Sequence, residues 1–290
     1  MTSIDSLEQI AETLESEGYV SDPAVSMSLF LALKMRRPLF LEGAPGVGKT
    51  EIGRVVSRAF QTELIRLQCY EGLDIHHALY EWNYPRQLLR LQAGQKEDFG
   101  SIYSAEYLLK RPLLQAIDPQ RESSPVLLID EVDRADEEFE SFLLELLSDF
   151  QVTIPELGSI RATHRPIVIL TSNRTREIHD ALKRRCIYCW IDYPSMQKEL
   201  AIVSMRVPAL SERVRTQVVR FVQRLRHEDL LKPPGIAETL DWAEALLHLG
   251  IAELDTDTIR QTLGVVLKNR DDISVVSGLL DDETWVAQAG

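Results

Sequence analysis

Apolar residues along the chain change rhythm twice. From Ile4 to Glu17, Leu7, Ile10, Ala11 and Leu14 recur at helical spacing, and Gly18 supplies a stop. Asp22-Pro23 then reads as an N-cap followed by proline at the first helical position. The helix it opens should run to about Met35, where Arg36, Arg37 and Pro38 end it with positive charge and a breaker. The rhythm next shortens to runs at Leu39–Leu41, Leu64–Leu67, Val126–Ile129, Ile167–Leu170 and Ile187–Ile191, separated by helical stretches. Three of these are nearly continuous in apolar residues, as parallel strands covered on both faces require. The expected fold is α/β, a doubly wound parallel sheet.

Two segments depart from the alternation. Residues 72–100 form a long insert with Tyr80, Trp82, Tyr84 and Phe99 among polar residues, and 151–166 alternate as a β-hairpin turning near Gly158. From Ser195 the strand rhythm disappears. Val214, Val218, Phe221, Val222 and Leu225 share one helical face, and Ala237–Leu249 and Thr258–Lys268 supply two more. The chain therefore divides into an α/β domain over 1–194, an all-helical domain over 195–270 and an acidic tail over 271–290.

The first strand runs into Gly43-Ala44-Pro45-Gly46-Val47-Gly48-Lys49-Thr50, which fits G-x-x-x-x-G-K-[ST] at every fixed position. Glycines let the backbone curl so that successive N–H groups face a phosphate, and the following helix adds the positive end of its dipole. Ile52, Val55, Val56, Ala59 and Phe60 mark that helix's buried face. Lys49 would reach the β- and γ-phosphates, and the Thr50 hydroxyl would take a position on Mg²⁺.

A second signal is Asp130-Glu131 at the end of the Val126–Ile129 run, the sheet edge where α/β proteins bind ligands. Asp130 suits the metal, mostly through water, and Glu131 suits the attacking water. Asp133, Asp136, Glu137 and Glu138 read instead as exposed acids in the first turn of a helix. Asn173, at the end of the Ile167–Leu170 run, either holds water and γ-phosphate together or is a turn residue. Arg184-Arg185, closing the next helix, either complement its dipole or act as an arginine finger, and spacing leaves both open.

Composition narrows the field modestly. The formal net charge of -13 argues against a broad nucleic-acid surface. No apolar stretch is long enough to span a membrane, and no secretory signal is visible, so a cytosolic protein is expected. Cys69, Cys186 and Cys189 do not suggest a disulfide framework. Cys186 and Cys189 have metal-like spacing, but positions three apart on a strand point to opposite faces, so buried thiols are expected. His76-His77 reads as loop surface. The aromatics from Tyr80 to Tyr84 either grip a partner or pack the insert on its own sheet.

The segments "LEGAPGVGKTE", "LLIDEVDRADEEFESFLLELLSDF", "VTIPELGSIRATHRPIVILTSNRTREIHDALKRRC" and "GIAETLDWAEAL" resemble the AAA+ ATPases over about residues 19–270. Within them the chain looks like the MoxR group. The last two segments are similar to the CoxD-like branch that accompanies carbon monoxide dehydrogenase maturation. The resemblance implies a P-loop NTPase (AAA+) fold with a helical lid, and nucleotide contacts from Gly43 through Thr50 and Glu51, with Tyr19 and Val20 at the adenine. Thr50 and Asp130 would serve Mg²⁺, and Glu131 would be the base. Asn173 would be sensor 1 and Arg185 the finger, with Arg184 second. The hairpin would be the pre-sensor insert, and 72–100 would hold the second-helix insert. It further implies ATP hydrolysis, a hexameric ring, a von Willebrand factor A domain partner and a client metalloenzyme. Neither nucleic acid nor direct membrane insertion is expected, on the acidic charge and the lack of a membrane-spanning apolar stretch. One departure is visible: where relatives carry a sensor 2 arginine, this chain reads Ala237-Glu238-Thr239. An AAA+ nucleic-acid motor and a small-molecule P-loop kinase are the competing classes.

Overall fold

The computed structural model describes residues 6–92 and 102–282. Its strands are β1 (Leu39–Gly43), β2 (Leu64–Gln68), β3 (Tyr80–Trp82), β4 (Leu108–Lys110), β5 (Val126–Asp130), β6 (Gln151–Ile154), β7 (Gly158–Arg161), β8 (Ile167–Ser172) and β9 (Ile187–Ile191). Five of them form one sheet in the order β2-β5-β8-β1-β9. The β2·β5, β5·β8 and β1·β8 pairings are parallel. The apolar runs expected to be strands are these five strands, and β1 and β5 are buried along their whole length. Such strands gain from helices on both faces, because each side chain then leaves water whichever way it points.

The phosphate-turn helix, Lys49–Ala59, buries Ile52, Val55 and Val56. Helix Leu7–Ser16 opens with a capping box between Ser6 and Gln9, and helix Pro23–Met35 ends where expected, with Arg36 in the left-handed region. The 151–166 segment is the expected antiparallel hairpin, β6·β7, with Gly158 at φ +79°. The insert after β2 carries a one-turn helix, Ile75–Ala78, the β3·β4 pair and helix Tyr84–Gln92. His76 and His77 lie on that one-turn helix, and His77 Nδ1 is 2.8 Å from Asp74. Trp82 is buried and packs edge-on against Tyr80 and Tyr103, so part of the aromatic group serves the insert itself, while Tyr84 is exposed. Phe99 lies outside the described residues.

Packing divides the chain into two units. The first holds the sheet. The second holds the residues from Ile191 on, together with Gly18–Val20 and Ala44–Gly48. Five helices from Met196 to Leu279 build its core around Phe221, Trp242 and Leu263. Helix Arg270–Leu279 buries Val276, and Leu280 follows it into the same core. The first part of the expected tail is thus packed helix, and residues 283–290 lie outside the described residues. Among the described residues no helix is long and apolar enough to cross a membrane.

Candidate functional site

The turn after β1 has the backbone its glycines permit. Gly46 lies at φ +76° and Gly48 at φ +94°, a region other residues enter only with strain. Lys49 is 5% exposed and its Nζ donates to the Gly43 carbonyl at 2.9 Å. Burial pulls its ammonium down to about 8, against the pull of Asp133, Asp130, Glu131 and Glu42. Glu51, also expected at the nucleotide, is engaged with Arg54 and Arg58 on its own helix.

Asp130 ends β5 and is 1% exposed. Its Oδ1 accepts from the Thr50 hydroxyl at 2.8 Å and from the Thr171 hydroxyl at 2.6 Å. Thr171 in turn accepts from the Glu131 N–H at 2.9 Å. A buried carboxylate beside a threonine hydroxyl is a hard-oxygen donor set that fits Mg²⁺. Glu131 sits at φ 55°, ψ 51°, so the backbone turns sharply between the two acids, and its carboxylate stays partly exposed, loosely facing Arg134 at 3.9 Å. The pair is therefore split by environment into a buried carboxylate and a partly exposed one.

Asp133 corrects the sequence reading. It lies in a one-turn helix, Val132–Arg134, and is 3% exposed. Its carboxylate accepts from the backbone N–H of Asn173 at 3.2 Å, and from the N–H and hydroxyl of Thr175 at 2.8 and 2.7 Å. This acid ties the loop carrying Asn173 to the loop carrying Glu131. Asp136 is the N-cap of helix Glu137–Asp149, accepting from Phe139 N–H at 2.8 Å, and Glu137 and Glu138 do form that helix's exposed first turn. Glu42, just ahead of the phosphate turn, was also missed. It is buried, and accepts from the Tyr188 hydroxyl at 2.8 Å. Burial, reinforced by that bond, pushes the phenol up to about 12.

The arginines lie elsewhere. Helix Asp180–Arg185 leads into the start of β9, and Ile187 N–H donates to the Pro38 carbonyl at 2.7 Å, so β9 and β1 begin at the same sheet edge. Arg184 and Arg185 therefore sit at the amino-terminal edge, while Thr50, Asp130 and Asn173 gather at the carboxyl-terminal one. Both arginines are exposed, and Arg185 Nε donates to Ser148 Oγ at 3.1 Å. Cys186 and Cys189 are both buried, as expected.

Within the second unit, Ile236 N–H donates to the Gly46 carbonyl at 2.9 Å. At the stretch lacking the sensor 2 arginine, Glu238 caps its own helix through Gly235 N–H at 2.9 Å. Thr239 bonds Glu199 at 2.7 Å, and Glu199 is doubly paired with Arg226. Tyr19 is buried in this unit.

A family model described as an AAA domain of the dynein-related subfamily matches residues 38–186, which hold all of these sheet-edge residues. The chain belongs to the AAA domain family. AAA domains are P-loop ATPase domains, and this one keeps the phosphate turn, the paired acids and the polar end of β8 in that fold. The chain is 30% identical over 168 residues to a Lon protease of Desulforamulus reducens, covering 53% of this chain and 17% of that one. It is 24% identical over 226 residues to the chaperone protein ClpB of Chlamydia muridarum, covering 75% of this chain and 22% of that one. It spans less than a quarter of the length of these curated relatives. Among solved structures, RuvB variants from Thermotoga maritima share the AAA fold, one at a TM-score of 0.50 and 18% identity, covering 93% of this chain and 73% of that one.

Proposed function

We propose that this chain is the ATP-hydrolysing subunit of a ring that remodels or matures a partner protein. One observation carries the reading: the acids and the arginines occupy opposite edges of one sheet, which supports a second copy bringing its arginine edge to the first copy's phosphate turn. In this assignment the amides of residues 44–48 and Lys49 hold the triphosphate, with Gly43 and Glu51 flanking and Tyr19 and Val20 at the adenine. Thr50 and Asp130 hold Mg²⁺, which neutralises phosphate charge when bound. Glu131 polarises the attacking water, Asn173 positions it, and the neighbour's Arg185, with Arg184 beside it, stabilises the developing charge. The chaperone among its relatives supports action on protein rather than nucleic acid, as does the acidic net charge of -13.

The finer reading follows the MoxR resemblance: a hexamer in the cytosol, acting with a von Willebrand factor A domain protein on a metalloenzyme resembling carbon monoxide dehydrogenase. Mixing two inactive variants tests the shared site. Arg185→Ala subunits keep an intact base, and Glu131→Gln subunits keep an intact finger, so mixed rings recover turnover that neither variant has alone. Proven co-assembly without recovery, repeated with Arg184→Ala, overturns the shared site.

A further inference from the structure

Asp130 carries one contact that the metal role does not explain. Arg66, in the middle of β2, reaches across to the end of β5 and places both Nε, at 3.0 Å, and Nη2 on Asp130 Oδ2. The same Nη2 also donates to the Gln68 side chain, and Gln68 stands opposite Asp130 in the β2·β5 register. With Thr50 and Thr171 on Oδ1, this carboxylate accepts four hydrogen bonds, about as many as its two oxygens can take.

The four donors differ in freedom. Thr171 is buried in β8, and the Thr50 hydroxyl is set by the phosphate-turn helix. The Arg66 side chain is 41% exposed on a long flexible stem, so it can swing away from Asp130 without disturbing the fold. A carboxylate this buried is costly without a positive partner. A guanidinium and a hydrated Mg²⁺ both satisfy that need, and both cannot occupy Oδ2 together.

We propose that Arg66 is an exchangeable counter-ion: it holds Asp130 Oδ2 and gives that oxygen up when the metal arrives with the nucleotide. Arg66 thereby keeps the carboxylate oriented between cycles and weakens metal binding by competition, which favours release of the metal with the product. This rests on Asp130 being the metal's carboxylate, as assigned above.

The test measures Mn²⁺ binding to the full chain with ADP by electron paramagnetic resonance, in the parent, Arg66→Met, Arg66→Lys and Asp130→Asn. Exchange requires Arg66→Met to bind Mn²⁺ about tenfold more tightly, because both the competitor and a like charge are gone. Arg66→Lys, which keeps the charge but loses the fork, falls between. Without metal, Arg66→Met melts lower than the parent, and Mn²⁺ with ADP narrows the gap. A purely structural ion pair predicts Mn²⁺ binding unchanged or weaker in the Arg66 variants, and that result overturns the proposal. If Arg66→Met does not fold, Arg66→Lys decides on the same criterion. The Asp130→Asn arm separates the two failures, since retention of Mn²⁺ there removes the metal assignment itself, whatever Arg66 does.

Discussion

The Arg37 guanidinium clasps the chain that carries Arg185. Its Nε donates to the Arg185 carbonyl at 3.0 Å, and its Nη2 donates to the carbonyls of Cys186, at 3.2 Å, and Arg184. Those carbonyls end a helix and have no helical donors of their own. Arg37 lies two residues before β1, so one side chain joins the entry of the strand leading to the phosphate turn to the end of the helix bearing the arginines. Arg37→Ala should leave nucleotide affinity intact and lower turnover on the order of 10²-fold, because misplaced groups lose rate before they lose binding. Steady-state kinetics with a fluorescent-nucleotide titration checks it; a loss confined to affinity contradicts it.

Asp133 should matter more than an exposed acid would. Asp133→Ala leaves the N–H groups of Asn173 and Thr175 without their acceptor, at a cost of about 1–3 kcal/mol. Asp133→Asn keeps one acceptor oxygen and should lie between. Urea denaturation reads the stability, and turnover should fall alongside it because the Asn173 loop loses its anchor. An alanine variant as stable as the parent rejects the role.

Gly235 faces Gly46 backbone to backbone. A Cβ at Gly235 would stand 2.8 Å from Gly46 Cα and 2.9 Å from its carbonyl carbon and oxygen, against rigid backbone. Gly235→Ala must break the Ile236 N–H bond to Gly46 or distort the turn. The expected outcome is at least about a tenfold loss of nucleotide affinity in a protein that still folds, measured by calorimetry. Gly264→Ala also changes a glycine, in helix Thr256–Val266 with open space around it, and should leave affinity unchanged.

The thiols report on folding. Burial pushes Cys69 and Cys186 up to about 12. At pH 8 both should resist Ellman's reagent in the native chain and react once it unfolds. Folded thiols that stay protonated contribute stability that is complete below their unfolded value of about 8.5 and is lost as pH rises toward 12. Nucleotide should slow the labelling further, by stabilising the folded state. Rapid native labelling of either residue contradicts the burial.

The sheet, the phosphate turn and the acid pair were legible because each rests on local rules. A strand buried on both faces needs a continuous apolar run, a backbone curled around phosphate needs glycines at set places, and carboxylates after such a strand fall at its carboxyl end. The roles of Asp133, Arg66, Glu42 and Arg37 were not legible. Asp133 and Asp136 look alike among their acidic neighbours, yet one is buried beneath the Asn173 loop and the other caps a helix. Arg66 meets Asp130 only because β2 pairs with β5, and Arg37 meets Arg185 only because β1 pairs with β9.

By itself, then, the amino-acid order determined which segments become the five strands of the main sheet and where the glycine turn and the acid pair fall, since periodicity and turn stereochemistry act over a few neighbouring residues. Tertiary structure alone decided which charges are partnered and which remain available, because a charge's free energy depends on burial and on groups tens of residues away in sequence.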